Sequence, residues 1–289
     1  MDVEAFFAGD GPLSRCLNGY EPRSGQVDMA REVYRTLRQG GVLLAEAGTG
    51  TGKTLAYLVP ALLAGKKVVV STATKTLQAQ ILNNDVPLLA AALGRPVSVA
   101  LLKGRQNYLC LRRFEGFRAQ PLFRFAADAR VYDRLERWAG ATETGDRAEL
   151  VDLPDEYGPW REVCSTSETC WGGKCPREED CHLGRHRRAA QRAQVVVVNH
   201  HLFFADLAVR STSAGEVIPR YEAAVFDEAH HLEAVATQYF GVRVSAHRVQ
   251  DFTRDAAAAL GRADGPLALA LAAAGETAEA FWASLPRTE

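Results

Sequence analysis

The chain has 289 residues, 47% hydrophobic and 24% charged, with a formal net charge of −1. That balance is ordinary for a soluble globular chain, with room for one large domain or two ordinary ones. No charged start runs into an apolar stretch, and Val42–Ala45, Val68–Val70 and Val195–Val198 are far too short to span a bilayer. The chain therefore reads as cytoplasmic, with no membrane partner.

Apolar residues at helical spacing (Val27, Ala30, Val33, Tyr34, Leu37) predict a helix over Val27–Arg38, which Gly40 and Gly41 stop. Val42–Ala45 reads as a short strand entering a glycine-rich loop, and Lys53–Leu63 as a buried helix. Lys66–Ser71 is a second expected strand, Lys75–Leu89 a helix and Val97–Leu102 a third strand. Strands alternating with helices imply an α/β fold whose parallel sheet is covered on both faces.

From Lys103 to about Gln194 that rhythm stops. Arg-rich helical segments, an acidic stretch with Pro and Gly, and four of the six cysteines within Cys164–Cys181 lie there. It resumes with a strand at Gln194–Asn199, a helix over His200–Val209 and a strand at Ala223–Phe226. Beyond His231 the chain is Ala-rich and helical, at Ala256–Leu260 and Leu267–Ala274. A sheet interrupted and resumed is the pattern of an insertion. The expected division is residues 1–102 and 195–232 for the α/β domain, 103–194 for the insertion, and 233–289 for a helical segment.

The loop Ala47, Gly48, Thr49, Gly50, Thr51, Gly52, Lys53, Thr54 lies between a strand and a helix, which is the P-loop arrangement for ATP. Its glycines let backbone N–H groups turn toward phosphate oxygens, and the helix adds the positive end of its dipole. Lys53 would reach the β- and γ-phosphates, and the Thr54 hydroxyl would ligate Mg²⁺. Ala47 stands where the strict pattern has glycine. The acidic partner follows the last strand: Asp227 for the Mg²⁺ shell and Glu228 to orient and deprotonate the attacking water, within Asp227-Glu228-Ala229-His230. Upstream, Arg23-Ser24-Gly25-Gln26 offers a carboxamide matched to the N6 and N7 edge of adenine. Arg23, Gln26 and His230 join the P-loop as expected nucleotide contacts.

Cys110, Cys164, Cys170, Cys175 and Cys181 point to metal or redox chemistry rather than disulfides, and Cys16 has no partner pattern. Thiolates suit an iron–sulfur cluster and tetrahedral zinc alike. Basic residues concentrate around them. Lys103–Trp138 holds nine Lys or Arg against four acids, and Arg185–Arg192 holds four Arg and a His with no acid. Such stretches fit a polyanion or a solvated helix face.

Taken in order, Gln26, Ala47–Thr54, Ser71–Gln80, Lys103–Cys110, Asn199-His200 and Asp227–His230 resemble the superfamily 2, DEAH-type DNA helicases of the DinG/XPD family, and within it the bacterial DinG-like YoaA group. The resemblance covers about Pro12 to His231. It implies a RecA-like motor domain, ATP-driven 5′ to 3′ movement on single-stranded DNA, and a [4Fe–4S] cluster in the insertion. The family's ligand pattern falls on Cys110, Cys170, Cys175 and Cys181, with a shifted set using Cys164 as the alternative. The insertion is expected to lack a core of its own, so that four thiolate bonds would tie its ends. DNA contacts implied by the motifs are Thr72, Thr74, Gln78, Lys103, Arg105 and Tyr108, with Arg112, Arg113, Arg185, Arg187 and Arg188 flanking the cluster. Asn199 and His200 match a family signature, for which packing or helix capping is an equal reading.

The second motor domain of such helicases has no counterpart here, and residues 233–289 resemble only the start of their helical arch. The chain is thus expected to be the N-terminal part of a longer helicase, unable to unwind alone. A non-catalytic DNA-binding module of the same fold and a zinc-stabilised P-loop ATPase are the competing readings.

Overall fold

The computed structural model describes residues 2–48, 50–119, 126–151, 153, 157–212, 215–241, 252–253, 256 and 265–284. It divides into two units, Met1–Val235 and Ala236–Glu289. The first opens with three helices, α1 (Val3–Phe6), α2 (Pro12–Cys16) and α3 (Ser24–Gln39). In α3 the buried residues Gln26, Ala30, Val33 and Leu37 recur at steps of three and four, the stripe a helix needs to lie on a core. Gly40, at φ 84°, ends it. The P-loop leads into α4 (Lys53–Leu63), buried at every position from Leu55 to Leu62.

Four parallel strands follow: β1 (Val68–Thr72), β2 (Val99–Leu101), β3 (Val195–Asn199) and β4 (Ala223–Phe226), in the spatial order β2-β3-β1-β4. Val68 and Val70 of β1, with Val195 and Val197 of β3, join the core formed with α1, α3 and α4. Val69, Val196 and Val198 face the opposite way, into a second core with Leu202, Phe203 and Ile218. The two-residue period of a strand divides these valines, and both faces are covered. The first of the five expected strands is not formed. Val42–Ala45 makes no sheet pairing; Leu43 packs on the first core while Val42 and Leu44 stay 90% and 92% exposed.

The predicted Lys75–Leu89 helix is continuous but contains a π-helical turn. It consists of α5 (Lys75–Gln80), the turn Ile81–Asp85, and α6 (Val86–Leu93). After β3, α11 (His200–Ser211) is capped by the Asn199 carboxamide, which accepts from the Leu202 N–H at 2.8 Å. In its middle, fully buried Asp206 accepts from the Val217 and Ile218 N–H groups and pairs with Arg210.

Between β2 and β3 lie α7 (Leu111–Ala119), α8 (Ala126–Ala141), α9 (Gly158–Val163) and α10 (His182–Arg192). The described residues of this segment hold no strand, as expected, only a single bridge between Tyr108 and Asp146. They do hold a core of their own, contrary to expectation. Leu109, Phe114, Phe117, Tyr132, Leu135, Trp160 and Cys164 are buried together, because aromatic side chains bury large areas even in short helices. A helix from Leu232 to Phe240 spans the unit boundary. The second unit contains the helix Pro266–Ser284, and all of the expected Ala256–Leu260 helix except Ala256 lies outside the described residues. No helix among the described residues is long and apolar enough to cross a membrane.

Candidate functional site

The P-loop closes on itself through short-range bonds. The Thr51 hydroxyl donates to the Gly48 carbonyl at 2.9 Å, and Lys53 Nζ donates to the Ala47 carbonyl at 3.2 Å. Thr49 lies outside the described residues. From α3, the Arg23 guanidinium donates to the Gly50 carbonyl and the Gln26 amide donates to the Gly52 carbonyl at 3.0 Å. Gly52 sits at φ 79°, a conformation that favours glycine, and a Cβ there would lie 2.1 Å from Gln26 Nε2 and push that amide off the loop. Gln26 is 5% exposed and its amide holds the loop. A cavity of about 270 Å³ opens beside it, lined by Gln26, Met29, Ala45, Ala47, Thr51 and Lys53.

The acidic motif meets this loop from the far end of the unit. The Asp227 N–H donates to the Ser71 carbonyl at 2.9 Å, so the chain leaves β4 locked to β1. Glu228, the one non-glycine residue with positive φ among those described (56°), then turns its carboxylate to within 3.2 Å of Lys53 Nζ. Asp227 is buried and its Oδ2 accepts from the Tyr57 hydroxyl at 3.1 Å. His230 is exposed, 3.6 Å from Glu228 and stacked on His231. His200 underlies the same turn. Its Nδ1 is 2.7 Å from the Ser71 hydroxyl, and burial holds the imidazole below the ordinary histidine range. Tyr57 and His200 escaped the sequence reading as site residues. The first sits in an apolar helix that reads as core; the second was read within a family signature, with packing or capping as an equal reading.

Among the described residues, no three His, Cys, Asp or Glu side chains already stand as a metal-binding group. The cysteines nevertheless separate into two kinds. Cys164 is 5% exposed and packed with Trp160 and Phe114. Cys110, Cys170, Cys175 and Cys181 are half-buried. Burial pushes the Cys110 thiol up, and the Cys181 and Cys175 thiols beside it add to that shift, against the Arg113 backbone and Arg112. The Arg187 guanidinium stands beside Cys170 and Cys181. Cys110 directly precedes α7 and Cys181 occupies the cap of α10, positions where helix N-termini favour thiolates. Four thiols around one end of the insertion fit the donor chemistry of an iron–sulfur cluster. Cys164 is set apart by its burial and not by distance, since it lies near Cys110.

The expected DNA contacts are scattered. Thr72, Gln78 and Tyr108 are at most 1% exposed, which removes them from any surface that DNA reaches in this conformation. The Tyr108 hydroxyl is held by the Lys103 N–H, and its ring packs on His186. Lys103 is paired with Asp146, and the Thr74 hydroxyl caps α5. Arg105 donates to the Thr166 carbonyl. Arg112 lies over the exposed Trp171 ring at 4.0 Å.

Residues 28–122 match the model of the DEAD/DEAH box helicase family. The chain is 42% identical over 253 residues to the ATP-dependent DNA helicase YoaA of Haemophilus influenzae, covering 88% of this chain and 40% of that protein. With YoaA of Escherichia coli it shares 43% over 252 residues, 86% of this chain and 39% of the relative. With the ATP-dependent helicase DinG of Mycobacterium tuberculosis it shares 39% over 232 residues, 73% of this chain and 34% of the relative. The chain spans about two fifths or less of the length of these relatives.

Proposed function

We propose, because the chain belongs to the DinG-like DEAD/DEAH box helicases with their RecA-like α/β fold, that it forms the ATP-binding half of a cytoplasmic helicase motor. In this reading ATP hydrolysis drives 5′ to 3′ movement on single-stranded DNA, with a second motor domain closing over the nucleotide. The supporting observation is that Glu228 reaches Lys53 and Asp227 reaches Tyr57, one turn past the P-loop, across 175 and 170 positions of sequence. Lys53 leaves Glu228 to bind the β- and γ-phosphates, and backbone N–H groups of Gly48–Lys53 cradle them. Gln26 fixes the loop and offers the rest of its amide to the base. Glu228, freed of Lys53, orients the attacking water and accepts its proton.

Thr54 and Asp227 present oxygen donors of the kind Mg²⁺ takes. The ion, when bound, neutralises charge on the phosphates. Cys110, Cys170, Cys175 and Cys181 are the proposed thiolate ligands of a [4Fe–4S] cluster, which would join the starts of α7 and α10 to the Cys170–Cys175 loop. DNA contact in this reading falls to arginines around the cluster, such as Arg105, Arg112, Arg185 and Arg188, through phosphate.

The test is ATP turnover in a longer protein that carries this chain with a second motor domain. Hydrolysis should rise with single-stranded DNA and vanish in Lys53→Ala and Glu228→Gln. Turnover indifferent to DNA would overturn the helicase reading.

A further inference from the structure

We propose that Tyr57 is a positioning residue whose hydroxyl holds the Asp227 carboxylate in place for a divalent cation before the cation arrives. The inference rests on the reading of Asp227 as a metal-side group of the nucleotide site.

Tyr57 lies one turn after Thr54 on α4, among Leu55, Ala56, Leu58 and Val59, and is 1% exposed. Phenylalanine would fill that place without burying a hydroxyl, which must find a partner or cost stability. The partner is Asp227 Oδ2 at 3.1 Å, from a residue 170 positions away. The phenol O–H therefore donates to one oxygen of the carboxylate.

The backbone at Asp227 is already fixed by its bond to Ser71. What remains free is the carboxylate's rotation, and the phenol removes it by taking Oδ2 and leaving Oδ1 for a cation. A small, hard cation that demands near-octahedral geometry gains most from ligands set in advance.

The experiment uses the 289-residue chain and a fluorescent ADP analogue, titrated in chelator and at rising Mn²⁺, with wild type and Tyr57→Phe compared. Tyr57→Phe keeps the ring and should melt within a few degrees of wild type. Its metal-free nucleotide affinity should stay within about twofold, while the Mn²⁺ midpoint rises about tenfold, the size expected for losing a hydrogen bond to a charged group. In an Asp227→Asn background, Tyr57→Phe should add no further shift. Coincident Mn²⁺ midpoints overturn the proposal, as does equal weakening with and without Mn²⁺, which would mark a packing role. Wild-type binding indifferent to Mn²⁺ would overturn the metal-site reading itself, and this inference with it.

Discussion

Lys53 Nζ stands 3.2 Å from Glu228 Oε1 although 175 positions separate the two residues. The side chains are 27% and 34% exposed, so the pair is a modest one that phosphate oxygens displace. Glu228→Gln removes the competitor and should tighten ATP binding about two- to fivefold while abolishing turnover. Lys53→Ala should weaken binding more than about tenfold, the loss of a charge-assisted contact. Nucleotide titrations on the chain check both; weaker binding in Glu228→Gln would mean that the pair supports the loop instead.

Gly52 and Gln26 make a second coupled pair. Gly52→Ala places a Cβ 2.1 Å from Gln26 Nε2 at a backbone φ of 79°. Two penalties act, a clash and a left-handed backbone costing about 1–2 kcal/mol. Adding Gln26→Ala should relieve the first and leave the second, so the double variant should melt higher than Gly52→Ala alone. Nucleotide binding should not recover, since the loop loses its Gln26 tether.

A buried imidazole and a half-buried carboxyl set opposing pH slopes. Burial depresses His200, so as pH falls below about 6.5 the unfolded chain takes up a proton that the folded chain refuses, and stability drops. Asp85 is the reverse. Burial raises it to about 6, and the stability it contributes is present below the ordinary aspartate pKa and is lost as pH rises through 6. Asp85→Asn should therefore stabilise the chain at pH 7.5 by on the order of 1 kcal/mol, allowing for its partial exposure, and have no effect near pH 3.5. Thermal melts at the two pH values measure the difference.

The cysteines give a divided expectation. Reconstituted anaerobically with iron and sulfide, the chain should absorb broadly in the visible. Serine at Cys110, Cys170, Cys175 or Cys181 should abolish that absorption. Cys164→Ala should keep it and lower the melting temperature, because Cys164 belongs to the insertion's apolar core. Loss of colour in Cys164→Ala alone would favour the shifted ligand set.

Runs of valine made β1 and β3 legible, and the stop at Gly40-Gly41 and the P-loop punctuation fixed α3 and α4 within a few residues. The motif spacing also made Lys53 and Glu228 legible as partners. Other features were hidden because they depend on tertiary packing. The insertion's core forms from aromatics at no regular period, Phe114, Phe117, Tyr132 and Trp160. Gln78 and Tyr108 read as polar, DNA-facing groups but are consumed by burial. Tyr57 could not be told from a core aromatic until its hydroxyl was seen against Asp227.

Val42 and Leu44 carry a practical consequence. Two bare aliphatic side chains on a backbone run with no sheet partner form a template on which another molecule can lay a strand. Concentrated solutions of the chain should self-associate from this run first, ahead of any paired strand. Charge placed there, as in Leu44→Lys, should keep the protein dispersed without touching the loop that follows.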